Sequence, residues 1–184
     1  EINNLELNKK GADSNLILKT IKESLDLKDE LSDQAPNDVL KKIGMKIMTT
    51  VGGSSGALFS TLLMGMSKKY NEDLSDQQNI AKMFSEGVEA LKKRGKADLG
   101  EKTMLDVLIP VSNELKKLSD QDDVKNTAEK IKEVAEKGML STKDLIATKG
   151  RASFLGDRAI GHIDPGARSS QLAIEAICNS ILNK

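Results

Sequence analysis

The chain has 184 residues, enough for one domain with a real core. Its 28 basic and 28 acidic residues cancel, which argues against a nucleic-acid binder or a polybasic membrane anchor. With three Phe, one Tyr and no Trp, the core must come from Leu, Ile, Val, Met and Ala, which favours packed helices over a β-sandwich.

A first helix is expected over 16–31. Val39, Ile43, Ile47 and Val51 fall at four-residue steps, predicting a helix that opens at Pro36 and Asn37 and is closed by Gly52. Leu58, Leu62 and Met66 repeat the pattern after a Gly/Ser corner. "SDQQNIAKMFSEGVEALKKRG" reads as a helix capped by Ser75, with core positions Ile80, Phe84, Val88 and Leu91 and a basic end closed by Gly95. Leu105, Leu108, Leu115 and Leu118 form the next stripe, with Pro110 as a kink. Val124, Ala128, Ile131 and Ala135 form another that ends at Gly138, after which Ser141 or Thr142 caps a short helix. The last helix runs from Pro165 to Leu182. Short connections make neighbours antiparallel, so the fold class expected is all-α, an up-and-down antiparallel barrel of seven to eight helices, in a single domain over 1–184.

No apolar run approaches the roughly 18 residues of a membrane span. The opening "EINNLELNKK" has neither the basic start nor the apolar stretch of a secretion signal. Cys178 stands alone, which excludes an internal disulfide and fits a reducing cytoplasm.

The chemistry is expected in the corners. "KKGADSN" (9–15), "VGGSSG" (51–56), "RGKADLGEKTM" (94–104) and "KGRASFLGDRAIGHIDPGARSS" (149–170) are rich in Gly and small polar residues. Alternate corners of an up-and-down bundle share one end, so these four can meet at one mouth and enclose a ligand. Taken singly, a Gly at a helix end is ordinary capping. "GGSSG" goes further, because a cap needs one Gly and here Ser-Ser-Gly follows two of them at a helix start. That arrangement offers backbone N–H groups and hydroxyls to an anion, helped by the helix dipole. It has neither the spacing of a Walker loop nor that of a dinucleotide fingerprint.

Other residues are less specific. His162 and Cys178 lack the further ligands of a zinc site. His162 reads as a hydrogen-bonded loop histidine before a phosphohistidine or general base, and Cys178 as core. Met104 is the methionine expected against a flat ligand. Asp13 can cap a helix or bind a hard cation, and Arg151 can pair with a carboxylate or clamp a phosphate; the residues alone leave both open.

"VGGSSGALFST", "RGKADLGEKTMLDVLIP" and "KGRASFLGDRAIGHIDPGARSS" together resemble, in order and separation, the nucleotide-binding (L) subunit of bacterial dihydroxyacetone kinase. The resemblance implies a barrel of eight antiparallel helices and, from the chain's length, the phosphotransferase-dependent enzyme. It implies a cytoplasmic subunit holding ADP, which a phosphohistidine protein (the M subunit) recharges to ATP in place. The phosphoryl group then passes to dihydroxyacetone on a separate K subunit. By the same resemblance Ser54 and Ser55 contact the phosphates with Asn15 beside them. Gly95 and Met104 line the adenine pocket, Arg151 reaches the transferring phosphoryl group, and Asp164, Pro165 and Gly166 close on the nucleoside.

The resemblance is incomplete at the family's metal site, an acidic corner whose three Asp hold two Mg²⁺. The corresponding "LNKKGADSN" matches plainly only at Asp13, with Asn8 near the first Asp and a shorter spacing. The family's first helix is largely absent, so the N-terminal helix is expected to be truncated or incomplete. A competing reading is a nucleotide-binding regulatory or interaction protein of the same fold without catalytic activity. A plain helical scaffold binding no nucleotide is the third.

Overall fold

The computed structural model describes residue 31 and residues 33–183. Among these lie six α-helices: α1 (Pro36–Thr50), α2 (Gly53–Met66), α3 (Asp76–Gly95), α4 (Leu105–Leu115), α5 (Val124–Ser141) and α6 (Pro165–Leu182). Three 3₁₀ segments, Ser67–Lys69, Thr142–Asp144 and Arg151–Ala159, sit in the connections, and the described residues contain no strand. Each helix packs on its successor, and α4 also packs on α6. Successive helices joined by short links run antiparallel, and α6 packs back on α5 after a longer link, so the described residues form the all-α up-and-down arrangement expected. The helix expected over 16–31 lies outside the described residues except for Leu31, which is buried.

Local chemistry explains where helices begin. Ser75 caps α3 by accepting from the Gln78 N–H at 3.2 Å. Asp123 caps α5 through Asn126 N–H at 2.7 Å, and Asp164 caps α6 through Ala167 N–H at 2.8 Å. Pro36 opens α1 at its first position, where a missing N–H costs nothing.

Helix α4 is the axis of the core. It is short and apolar, and Leu105, Val107, Leu108, Val111 and Leu115 are all buried among α3, α5 and α6. Pro110 lies inside it and cannot donate to the Asp106 carbonyl one turn back. Gly138 of α5 packs on that same carbonyl, and a Cβ there would come within 2.4 Å of the oxygen. Gly138 therefore does not end α5, as the sequence suggested; the helix runs on to Ser141, and the glycine is a close crossing point.

Three other expectations shift. Val51, not Gly52, is the C-cap of α1, and Gly52 is instead the N-cap of α2. The left-handed residue after α3 is Lys96 (φ +48), one beyond Gly95. Ile80 and Val124, expected in the core, are 50% and 51% exposed. On α3 the buried line runs through Asn79, Met83, Gly87, Val88 and Leu91, so it is rotated by one residue near the N-terminus, where Asn79 turns inward to bond the loop at Asn71 and Leu74. Val124 opens α5, at the solvent end of its stripe. Cys178 is buried, as expected.

Candidate functional site

The antiparallel order alternates the corners between two poles. At one pole the Ser75 hydroxyl and the Gln78 amide both bond the Asp120 carboxylate, tying the α2–α3 corner to the α4–α5 corner. The α1–α2, α3–α4 and α5–α6 corners fall at the other pole. They are the three Gly-rich corners that lie within the described residues; the fourth, at 9–15 with Asp13 and Asn15, lies outside them. A Cβ on Gly95, at the end of α3, would meet the Leu58 side chain of α2 at 3.8 Å. This places the second corner beside the first.

The α1–α2 corner answers why the sequence needs two of its three glycines. Gly53 has φ +77, which L-residues rarely adopt, and a Cβ on Gly56 would fall 2.0 Å from the Val51 carbonyl oxygen. The turn is thus drawn tight enough to leave only two residues between α1 and α2. No side chain caps α2. Gly52, Gly53 and Ser54 are exposed and Ser55 is half-buried, and nothing lies within 4 Å of where a Cβ would stand on Gly52 or Gly53. The first-turn N–H groups of α2 thus have neither an intrahelical nor a side-chain partner, and with the Ser54 and Ser55 hydroxyls beside them this set of donors fits a phosphate.

The α3–α4 corner is held by a buried charge. Lys102 is 2% exposed and has φ +59. Its ammonium donates to the Thr142 carbonyl at 2.5 Å, the His162 carbonyl at 2.6 Å and the Lys143 carbonyl at 3.4 Å. Asp106, 1% exposed, folds the same corner from inside: its carboxylate accepts from Gly100 N–H at 2.6 Å and Thr103 N–H at 2.7 Å. Thr103 answers through its hydroxyl, which accepts from Leu105 N–H at 3.1 Å. The exposed rim adds Glu101, which accepts from the Thr148 hydroxyl at 2.8 Å and pairs with Lys149. Those partners, Thr148 first, hold its carboxyl below the usual range.

The α5–α6 corner closes on the α3–α4 corner. Thr142 is fully buried; its hydroxyl donates to the Met139 carbonyl at 2.7 Å and accepts from Asp164 N–H at 3.0 Å. Asp164, 9% exposed, then caps α6. Burial pushes its carboxyl up to about 6, against the lowering effect of the Ala167 and Gly166 N–H groups; Asp106 raises it further and Lys102 lowers it. A Cβ on Gly166 would stand 3.5 Å from both the Cβ and the backbone N of Met104, so Met104 and the start of α6 are neighbours. Arg151 opens the 3₁₀ segment after Gly150, which has φ +65, and that segment is broken at Gly156, with φ +54.

The structure thus gathers Ser54 and Ser55, Gly95, Met104, and Asp164, Pro165 and Gly166 onto three corners of one pole. Met104 is 7% exposed and part of the core. His162 is exposed, and it is its backbone carbonyl that serves the fold. Lys102 and Asp106 were missed by sequence reasoning, and Thr142, expected as a helix cap, instead joins the end of α5 to Asp164 through its hydroxyl. The Thr-x-x-Asp spacing of Thr103 and Asp106 ahead of an apolar run was a legible signal for one of them. A hollow of about 310 Å³ lies at the opposite pole, lined by Glu114, Lys117 and Lys130 among others. There Glu114 pairs with Lys117 at 2.7 Å and Lys130 at 3.3 Å, so its charges are already answered. Among the described residues no group of three or more His, Cys, Asp or Glu side chains could hold a metal ion. No helix among them is long and apolar enough to cross a membrane.

Residues 15–179 match the model of the DAK2 domain. The chain is 43% identical over 155 residues to the "PEP-dependent dihydroxyacetone kinase 1, ADP-binding subunit DhaL" of Listeria innocua, covering 83% of this chain and 73% of that one. It is 37% identical over 149 residues to the corresponding "PEP-dependent dihydroxyacetone kinase, ADP-binding subunit DhaL" of Escherichia coli, covering 80% and 71%. Among solved structures it resembles the dihydroxyacetone kinase of C. freundii in complex with AMP-PNP and Mg²⁺, with a TM-score of 0.62 and 20% identity, covering 91% of this chain and 30% of that one. At that identity the likeness speaks for the fold. The chain spans less than a third of the solved kinase's length.

Proposed function

The chain belongs to the DAK2 domain family, and on that footing we propose that it is the ADP/ATP-carrying subunit of a phosphoenolpyruvate-dependent dihydroxyacetone kinase, acting in the cytoplasm. The observation that carries this reading is the uncapped, open start of α2 at the same pole as the two interlocked corners. The names of the relatives point the same way.

Bound ADP would accept a phosphoryl group from a phosphohistidine M subunit and, as ATP, donate it to dihydroxyacetone on a K subunit. Phosphoryl transfer asks for positioning and for compensation of negative charge more than for covalent chemistry. In this reading the N–H groups at the start of α2, with the Ser54 and Ser55 hydroxyls, bind the diphosphate. Gly95 and Met104 flank the adenine, and Asp164, Pro165 and Gly166 close on the nucleoside. Arg151 compensates charge on the transferring group, with Asn15 beside the phosphates. Mg²⁺ would enter through the 8–15 corner, where Asp13 is the matching carboxylate. The exposed position of Ser54 at the pole suits a phosphoryl group that two partners must reach in turn.

The test is calorimetric titration of the full chain with ADP, followed by reconstitution with K and M subunits, the phosphoenolpyruvate phosphotransfer proteins and dihydroxyacetone. Binding of ADP and formation of dihydroxyacetone phosphate are expected. A chain that binds no ADP overturns the reading.

A further inference from the structure

We propose that Lys102 is a positioning residue for the nucleoside end of the site. It sets the distance between Met104 and the Asp164–Gly166 turn by filling a cage of three carbonyls with its ammonium. The proposal rests on the reading of this pole as a nucleotide site and adds to it a residue that touches no ligand.

The geometry is specific. The Lys102 ammonium carries three donors, and three carbonyls from two separate stretches of the α5–α6 corner meet it: Thr142 and Lys143 at its start, His162 near its end. The corner is thereby drawn into a loop whose two ends are stitched a second time by the Thr142 hydroxyl and Asp164 N–H. Lys102 stands two residues before Met104, and His162 two residues before Asp164. The two walls adjoin: a Cβ added to Gly166 would stand 3.5 Å from Met104. One ammonium therefore holds both walls from behind.

A neutral side chain would not do this. Without the ammonium the His162 carbonyl would lose its partner, and the Thr142 and Lys143 carbonyls would keep only the Leu145 and Gly161 N–H groups; a group left unpaired away from water costs about 1–3 kcal/mol in general. The positive φ of Lys102 is a local strain that its cage must outweigh. Asp164 lies close enough to feel the charge of Lys102, so the buried cation has one carboxylate within electrostatic reach. None of the hydrogen bonds of the Lys102 ammonium reaches the start of α2, where the diphosphate is proposed to bind. Its effect should therefore fall on the nucleoside and spare the phosphates.

The experiment measures the affinity of the full chain for ADP and for inorganic pyrophosphate, in the parent protein and in Lys102→Met. ADP affinity is expected to fall about tenfold or more, one tenfold step for each 1.4 kcal/mol of lost positioning. Pyrophosphate affinity is expected to stay within about twofold of the parent. In Lys102→Ala, butylammonium should restore ADP affinity by refilling the cage, whereas butanol should not. If Lys102→Met fails to fold, the Lys102→Ala arm decides: recovery with the amine supports the proposal and no recovery overturns it. Equal losses for ADP and pyrophosphate, or unchanged ADP affinity in Lys102→Met, also overturn it. Failure of the parent protein to bind ADP removes the nucleotide reading itself, and this proposal with it.

Discussion

The Asp164 backbone N–H donates to the Thr142 hydroxyl at 3.0 Å, twenty-two residues away, inside a corner from which water is excluded. One hydroxyl thus joins the end of α5 to the cap of α6. Thr142→Val keeps the shape and removes the acceptor, leaving a buried N–H unpaired. That is expected to destabilise the fold by about 1–3 kcal/mol, read as a lower urea midpoint with an unchanged slope. An unchanged midpoint would mean that another group takes over the Asp164 N–H.

Asp164 itself predicts a pH dependence. Its carboxyl is pushed up to about 6 from an ordinary value of 3.8. An acid with a raised folded pKa keeps its proton in the folded state over a range where the unfolded chain has already lost it. Its contribution therefore favours folding below about pH 4, fades as pH rises through 6, and is flat above. The size is on the order of 2–3 kcal/mol, at 1.36 kcal/mol per unit. Asp164→Asn keeps a capping side chain and cannot titrate. Urea midpoints of the parent protein should fall relative to Asp164→Asn between pH 4 and 6, and parallel curves would remove the effect.

Much of this was legible in the sequence, for physical reasons that differ by element. The stripe of α4 is apolar on every turn, so its burial could be read directly, and Ser75 announced its helix because capping is a local bond. The alternation of corners between poles followed from helix count and short links. Ile80 was misplaced because the turn nearest its cap was rotated by the bonds of Asn79 to a loop, which periodicity does not record. Gly138 was read as an end because a glycine at a crossing and a glycine at a cap look alike in one dimension. Lys102 was invisible for a deeper reason: its partners lie forty to sixty residues on and are backbone carbonyls, which carry no sequence signal.

Gly95 separates a structural role from a binding role. It is the last residue of α3, it does not have positive φ, and the nearest atom to an added Cβ is 3.8 Å away. Gly95→Ala is therefore expected to be tolerated, and helix propensity alone stabilises it by up to about 1 kcal/mol. If the missing side chain makes room for adenine, the same variant weakens ADP binding about tenfold. Thermal melting and calorimetry on one sample test both halves. Unchanged affinity would take Gly95 out of the pocket.

Ser54 and Ser55 offer a similar contrast. Gly52, not either serine, is the N-cap of α2, and no side chain caps that helix. Ser54→Ala and Ser55→Ala should then leave stability within about 0.5 kcal/mol. Each should weaken ADP binding by about 1.5–3 kcal/mol, the usual worth of a hydrogen bond to a charged group. Equilibrium dialysis with labelled ADP measures the loss; a loss of stability in its place would mark the serines as part of the corner's own scaffold.

Arg151 decides whether the site only holds a nucleotide or also moves phosphate. It begins the 3₁₀ segment at the pole shared by α2 and the Lys102 corner. A guanidinium that compensates charge in the transition state contributes little to ground-state binding, so its removal should act on turnover and spare affinity. Arg151→Ala is expected to lower dihydroxyacetone phosphate formation in the reconstituted system by about 10³-fold, the low end for arginines that act on phosphoryl transfer. ADP affinity should change by less than about threefold. Arg151→Lys keeps the charge without the planar fork and should recover only part of the rate. Full turnover in Arg151→Ala would remove the residue from the reaction. A parallel fall in ADP affinity would make it a binding residue, and the charge of the transferring group would then have to be met by the start of α2 and the Asp13 corner.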